Sequence, residues 1–199
     1  MDTEKVLVVS ADLLPLPPTS YVTGAGQIQS ILDICSKNCR FMPRKQAEVN
    51  PAYKQLIPYV TVICRREILY LERTSAQSEA RLHGKGSLGV GGHINPTDQG
   101  RDLGATIANA LTRELQEELW LSDPGNPWLA GLINDDSTSV GSVHLGLHYI
   151  LHVEHKPEIR ETDKMTARWL SYPRLKSLSQ RMETWSRILL PSLASAARL

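Results

Sequence analysis

Apolar residues return at every fourth position from Ile107 through Leu111 and Leu115 to Leu119, with no proline to interrupt them after Gly104. The stripe predicts a helix over 103–119 with one buried side, because positions i and i+4 stack on one face. "GQIQSILDICSKN" repeats the spacing at Ile28, Ile31, Leu32 and Cys35. "SLSQRMETWSRILL" places Met182, Trp185, Ile188 and Leu189 on one face of a tail helix that Pro191 stops.

Other segments carry the period of a strand. "KVLVVS" is a short candidate, and "LIPYVTVIC" and "EILYLER" are two β-rich runs joined by a tight polar break at Arg65 and Arg66, which predicts an antiparallel hairpin. "GSLGVGGHI" follows with four glycines, and after the loop "SDPGNP" come "WLAGLI", the turn "NDDSTSVGS" and "VHLGLHYILHV". In the last run Val143, Leu145, Leu147, Tyr149, Leu151 and Val153 share one face, as expected of a half-buried strand. Strands, helix, strands and helix in this order predict an α/β class in which helices cover a mixed sheet.

A chain of 199 residues with 41% hydrophobic content suits one substantial core. Residues 1–50, which hold a cluster of prolines at 15, 17 and 18, are expected as an addition packed on a main domain of residues 51–199. Lys and Arg total 22 against 21 Asp and Glu, so the excess charge that marks general nucleic-acid or membrane attraction is lacking and a small ligand is favoured. No apolar run reaches the roughly 20 residues of a membrane span, and "MDTEKVLVVSADLLPLPP" is unlike an export signal, so a cytoplasmic protein is expected. Cys35, Cys39 and Cys64 cannot all pair and lack the second ligand pair of a zinc site, so they read as reduced thiols.

One element of the pattern runs against ordinary helix chemistry. "RELQEELWL" puts Glu114, Glu117 and Glu118 within five residues at the C-terminal end of the 103–119 helix, where the macrodipole disfavours anions and like charges three or four apart repel. The three carboxylates project from one side and Arg113 compensates only part of their charge; a divalent cation would balance it. Oxygen donors suit Mg²⁺ and Mn²⁺, and Mg²⁺ is usually held by a few carboxylates together with water and substrate phosphates. Taken alone, the hexapeptide is better explained as a solvated acidic face, since such faces are common, and it is the context that shifts the reading. Upstream, "GVGGHIN" lets the backbone approach a ligand at Gly91 and Gly92.

A glycine-rich strand end, a loop and a helix ending in "RELQEE" resemble the signature of the Nudix hydrolases, G-x5-E-x7-R-E-U-x-E-E-x-G-U with U aliphatic. Arg113, Glu114, Leu115, Glu117, Glu118 and Leu121 match it. "GKGSLGVGGHIN", followed by "GLINDDS" and "VHLGL", also looks like a bacterial and phage branch of the family. The resemblance implies the family's α/β/α sandwich with a mixed sheet over about residues 55 to 190. It implies Mg²⁺ or Mn²⁺ on Glu117, Glu118 and a backbone carbonyl near Gly91 or Gly92, taken as Gly92. Glu114 would bind metal or help activate water, held by Arg113. The implied reaction is hydrolysis of the diphosphate bond of a nucleoside diphosphate-linked substrate; the alternative is a weak or inactive Nudix-fold module that binds a nucleotide or phosphorylated ligand. A structural domain whose acidic helix meets a basic partner is a further rival, and homodimerisation is a family expectation.

Two positions depart from the pattern: the earlier glutamate becomes Ala105 and the late glycine becomes Trp120. Asp98 and Asp102, in a loop longer than the family's, are candidates to replace the lost carboxylate, and Asp123, Pro124 and Gly125 to shape the exit from the helix. Among later acids Glu154, Glu158 and Glu161, the last is favoured to complete the site. Arg73, Arg81 and Lys85 are candidates for substrate phosphate, with Arg able to bind it bidentately. His144, His148 and His152 lie roughly 13 Å from one neighbour to the next along a strand, too far to share a metal, and read as polar residues of a less buried sheet face. Asp135 and Asp136 read as turn residues, with a second metal site as the lesser alternative.

Overall fold

The computed structural model describes residues 4–73, 85–121, 125–160 and 165–196. It divides into two compact units: Met1–Tyr59, Gly91–Thr112 and Leu129–His148 form one, and Val60–Val90, Arg113–Trp128 and Tyr149–Leu199 the other.

In the first unit β1 (Lys5–Ser10) is followed by β2 (Thr19–Val22), α1 (Ala25–Asn38), β3 (Arg40–Pro43) and α2 (Arg44–Ala47). β1 pairs antiparallel with β3, Val6 facing Met42, and with the start of β4 (Tyr53–Cys64), Val8 facing Gln55. Both faces of β1 are covered, so Val6, Leu7, Val8 and Val9 are all buried rather than alternating. Val6, Val8, Met42 and Ala47 form one apolar cluster with Tyr53 packed on it. The stripe expected on α1 buries Ile28, Ile31 and Cys35, while Leu32 is half-buried.

The second unit holds the hairpin foreseen at Arg65. The C-terminal end of β4 pairs with β5 (Glu67–Arg73), Ile63 facing Ile68, and Arg65 takes the left-handed φ of 55° that the tight turn requires. β5 carries the two-residue β6 (Gly86–Ser87) on one stretch. α3 (Leu103–Glu118) begins in the first unit and ends in the second. β7 (Leu119–Trp120), β8 (Trp128–Asp135), β9 (His144–Val153), β10 (Glu158–Ile159) and β11 (Met165–Ser171) follow, and β11 pairs with β5 along its length. In the first unit β8 pairs with β2, Ile133 facing Tyr21. The order of elements is the α/β one that the sequence predicts. No helix among the described residues is long and apolar enough to cross a membrane.

Two local expectations need correction. β9 is not half-buried at its start: residues 144–148 are all buried, so both faces of the sheet are covered there. The tail is not one helix. α4 (Tyr172–Ser177) is followed by a 3₁₀ turn at Ser179–Arg181, and only then by α5 (Thr184–Leu189) and α6 (Leu193–Ala196). Met182 and Glu183 are extended between them, because that stretch bonds β6 instead: the Glu183 N–H donates to Gly86 O (3.0 Å) and the Ser87 hydroxyl to Glu183 Oε1 (2.7 Å).

Candidate active site

Ile107, Leu111, Leu115 and Leu119 are all buried, as the stripe requires, and this fixes which side of α3 the acids occupy. Near its end, Arg113 Nη1 donates to Glu114 Oε1 at 2.7 Å and to Glu117 Oε2 at 3.1 Å. One guanidinium nitrogen thus holds two carboxylates of successive turns. Glu114 is largely covered, at 12% side-chain exposure, whereas Glu117 at 57% reaches solvent. The carboxylate oxygens gathered at this end of the helix are donors of the kind that suit a hard divalent cation.

The helix leaves by pairing. Leu119 and Trp120 form β7, which lies antiparallel to β10 with Trp120 opposite Glu158. The Arg160 N–H donates to Glu118 O (2.8 Å) and its Nε to Leu119 O (3.2 Å), so two carbonyls past the last helical bonds find donors. The Arg160 guanidinium also lies 3.6 Å from the centre of the Trp120 ring. A glycine exit is therefore unnecessary, and Trp120 has a partner for its exposed face. Asp123 and Pro124 lie outside the described residues, while Gly125 has φ 59°. A recess of about 560 Å³ lies beside this exit, lined in part by Trp120, Gly125, His152, His155 and Lys156.

Gly91 belongs to the first unit, where a Cβ would overlap the carbonyl oxygen of Pro58. The close approach at Gly91 is to the backbone of β4, not to a ligand.

Comparison with known proteins places this arrangement. No protein-family model matches the chain. Protein YmaB of Bacillus subtilis (strain 168) is 36% identical in an alignment of 160 positions that covers 77% of this chain and 78% of YmaB. The crystal structure of Tm1382, a proposed Nudix hydrolase, is similar with a TM-score of 0.80 and 26% identity over 96% of this chain and 99% of that one. The chain belongs to the Nudix hydrolase family. The fold is the family's α/β/α sandwich with a mixed sheet and flanking helices. At 19% identity and a TM-score of 0.53, the fold is shared with a bifunctional NMN adenylyltransferase/ADP ribose pyrophosphatase of Francisella tularensis, crystallised with AMP and a Mn ion, over 72% of this chain and 42% of that one. Nudix hydrolases use divalent metals.

Within this Nudix chain, the acids near Ala105 bond the local backbone, Asp102 at the start of α3 and Asp98 at the 3₁₀ turn Pro96–Asp98 before it. Asp102 Oδ1 accepts the Ala105 N–H at 2.8 Å, a capping bond that holds its carboxyl below the ordinary value. Asp98 is buried, and its carboxylate accepts the Asn95 N–H at 2.8 Å in a reciprocal cap.

The remaining candidates scatter. Arg81 and Glu161 lie outside the described residues, as does the side chain of Arg73, which ends β5. Lys85, Glu154 and Glu158 are exposed. Asp136 meets Lys54 Nζ at 2.6 Å, and Asp135 accepts the Ser137 N–H at 3.0 Å, so the pair does turn and ion-pair work. His152 is exposed, but the expectation of a less buried face fails for His144 and His148. His148 Nδ1 lies 2.7 Å from the Tyr21 hydroxyl, and burial pushes its pKa down to about 3.

Among the described residues, the three ligand-type side chains that converge within 4.8 Å are Glu48, His93 and His144, whereas the α3 glutamates form no such group. The sequence contains no local signal for that convergence, because its members are dozens of residues apart.

Proposed function

We propose that this protein is a divalent-metal-dependent Nudix hydrolase that cleaves the diphosphate bond of a nucleoside diphosphate-linked substrate. The observation that carries the reading is the Arg113 bridge: it fixes the Glu114 and Glu117 carboxylates on one side of α3, with Glu117 open to solvent.

Glu117, solvent-accessible, and Glu118 are assigned to the metal, with Mg²⁺ or Mn²⁺ chosen by the oxygen donors. Bound there, the ion would offset charge on the diphosphate and lower the pKa of water. Glu114, sheltered and hydrogen-bonded to Arg113, is assigned to orient and deprotonate the attacking water. Arg113, which donates to both carboxylates, is assigned as a positioning residue. The recess beside Trp120 falls in the size range of small-ligand sites and offers Lys156, His152 and His155 to an anionic substrate. The AMP and Mn ion bound by the Francisella protein support the substrate class and the metal.

The alternative, a Nudix-fold module that binds without turnover, is favoured by Ala105 alone, since the exit at Trp120 is rebuilt through β7 and Arg160. Incubating the chain with Mg²⁺ or Mn²⁺ and a panel of nucleoside diphosphate derivatives distinguishes the two. Phosphate-bearing products that disappear in Glu117→Gln support the hydrolase; thermal stabilisation by a compound that is not consumed supports the module.

A further inference from the structure

Glu48, His93 and His144 lie outside the helix that carries the glutamate box, and all three belong to the first compact unit. Glu48 directly follows α2, His93 follows the glycine pair and His144 opens β9. One ligand atom of each lies within 4.8 Å of the other two.

The spacing suits an ion better than direct bonding. His93 Nε2 and Glu48 Oε1 are 3.8 Å apart. An N–H···O hydrogen bond spans about 2.7–3.2 Å. Two ligands of one tetrahedral ion, with bonds of about 2.0–2.2 Å, sit about 3.3–3.5 Å apart, so a shift of a few tenths of an ångström would bring this pair onto a common cation.

The imidazoles are prepared for the same role. His144 Nδ1 is 2.7 Å from Val140 O, and since a carbonyl only accepts, Nδ1 carries the proton and Nε2 the lone pair. Histidines that bind metals commonly make this bond to a backbone carbonyl, which sets the tautomer and ring orientation. The His93 and His144 rings stand 5.7 Å apart at 48°, tilted rather than stacked. Arg44 Nε donates to Glu48 Oε1 at 3.3 Å while its Nη1 binds Glu4, which orients the carboxylate.

We propose that Glu48, His93 and His144 bind a Zn²⁺-class divalent cation at a site separate from the α3 glutamates, with a fourth position for water. The donor set separates the two: two imidazoles and one carboxylate select a borderline transition metal, whereas all-oxygen donors select Mg²⁺ or Mn²⁺. The ion links α2, the segment after the glycine pair and β9 within the first unit, so its occupancy stiffens the stretch next to Gly91 and Gly92.

The test uses the full-length, tag-free chain after chelator treatment, titrated with Co²⁺ as a visible probe and with Zn²⁺ by calorimetry. The expected result is one-to-one binding with visible Co²⁺ bands that Zn²⁺ displaces and Mg²⁺ does not. Glu48→Gln and His93→Gln should weaken it at least about tenfold, and Glu117→Gln should leave it unchanged. Absence of stoichiometric binding to the folded wild type, equal binding by Glu48→Gln and His93→Gln, or loss in Glu117→Gln would each overturn the proposal. His144→Gln adds a third variant where circular dichroism shows it folded; the two more accessible positions carry the test without it. Because binding is read rather than turnover, the outcome is independent of whether the hydrolase reading holds.

Discussion

Arg113 and Glu114 are neighbours in sequence and also ion-paired, at 2.7 Å through the same nitrogen that reaches Glu117. Adjacent residues on a helix do not ordinarily face each other, so this contact is set by the bending of the Arg113 side chain over its own turn. Its effect is to hold a sheltered carboxylate and an exposed one in fixed relation.

Arg113→Lys keeps the charge but loses the planar fork, so the carboxylates should lose their shared anchor. Turnover in Mg²⁺ should fall by about 10²-fold, with melting temperature nearly unchanged, since misplacement by about an ångström has effects of that size. Steady-state rates beside a thermal melt check it; unchanged kcat/KM would remove Arg113 from its positioning role.

Lys54 on β4 is a buried cation whose Nζ donates to Asp136 Oδ1 (2.6 Å), Ser142 O (3.1 Å) and Gly141 O (3.3 Å). Removing one member of a buried pair typically destabilises by about 3–5 kcal/mol. Asp136 keeps 38% side-chain exposure and can rehydrate, so Lys54→Met should fall at the lower end of that range, measured by urea unfolding. A loss within experimental scatter would contradict it.

His148 gives the fold a pH dependence. Its folded pKa of about 3 lies below the ordinary value of 6.5, so between these values the unfolded chain takes up a proton that the folded chain does not. This contribution to stability is complete above pH 6.5 and declines as the solution is acidified toward pH 3, at up to about 1.4 kcal/mol per pH unit. Unfolding at pH 7.5, 6 and 5 should show the decline in wild type and a shallower one in His148→Gln; parallel slopes would reject His148 as the source.

Arg160→Ala removes the bond to Leu119 O and the cation over Trp120 but leaves the backbone bond to Glu118 O. A loss of about 1–2 kcal/mol is expected. A calorimetric melt should fall by several degrees, and an unshifted melt would show that the β7–β10 pairing alone holds the helix end.

What was legible along the chain was whatever rests on local period. The stripe from Ile107 to Leu119 and the hairpin at Arg65 and Arg66 follow from residues a few positions apart. The break in the tail was not legible, because Glu183 is drawn out of a helical pattern by Gly86 and Ser87, almost a hundred residues away. For the same reason Lys54 with Asp136, Arg160 with the end of α3, and Glu48 with His93 and His144 carry no sequence signal: each joins segments that only the tertiary fold brings together. The burial of His144 and His148 was misjudged because alternation shows which residues share a face and does not show whether the other face is covered.

The most direct measurement is the rate of diphosphate hydrolysis as a function of Mn²⁺ concentration, on the best substrate of the panel, for wild type and Glu117→Gln. The account predicts a saturable metal requirement in the wild type and a drop of about 10²-fold or more in the variant at equal thermal stability. Hydrolysis that persists without divalent ions, or proceeds equally well in Glu117→Gln, would contradict it.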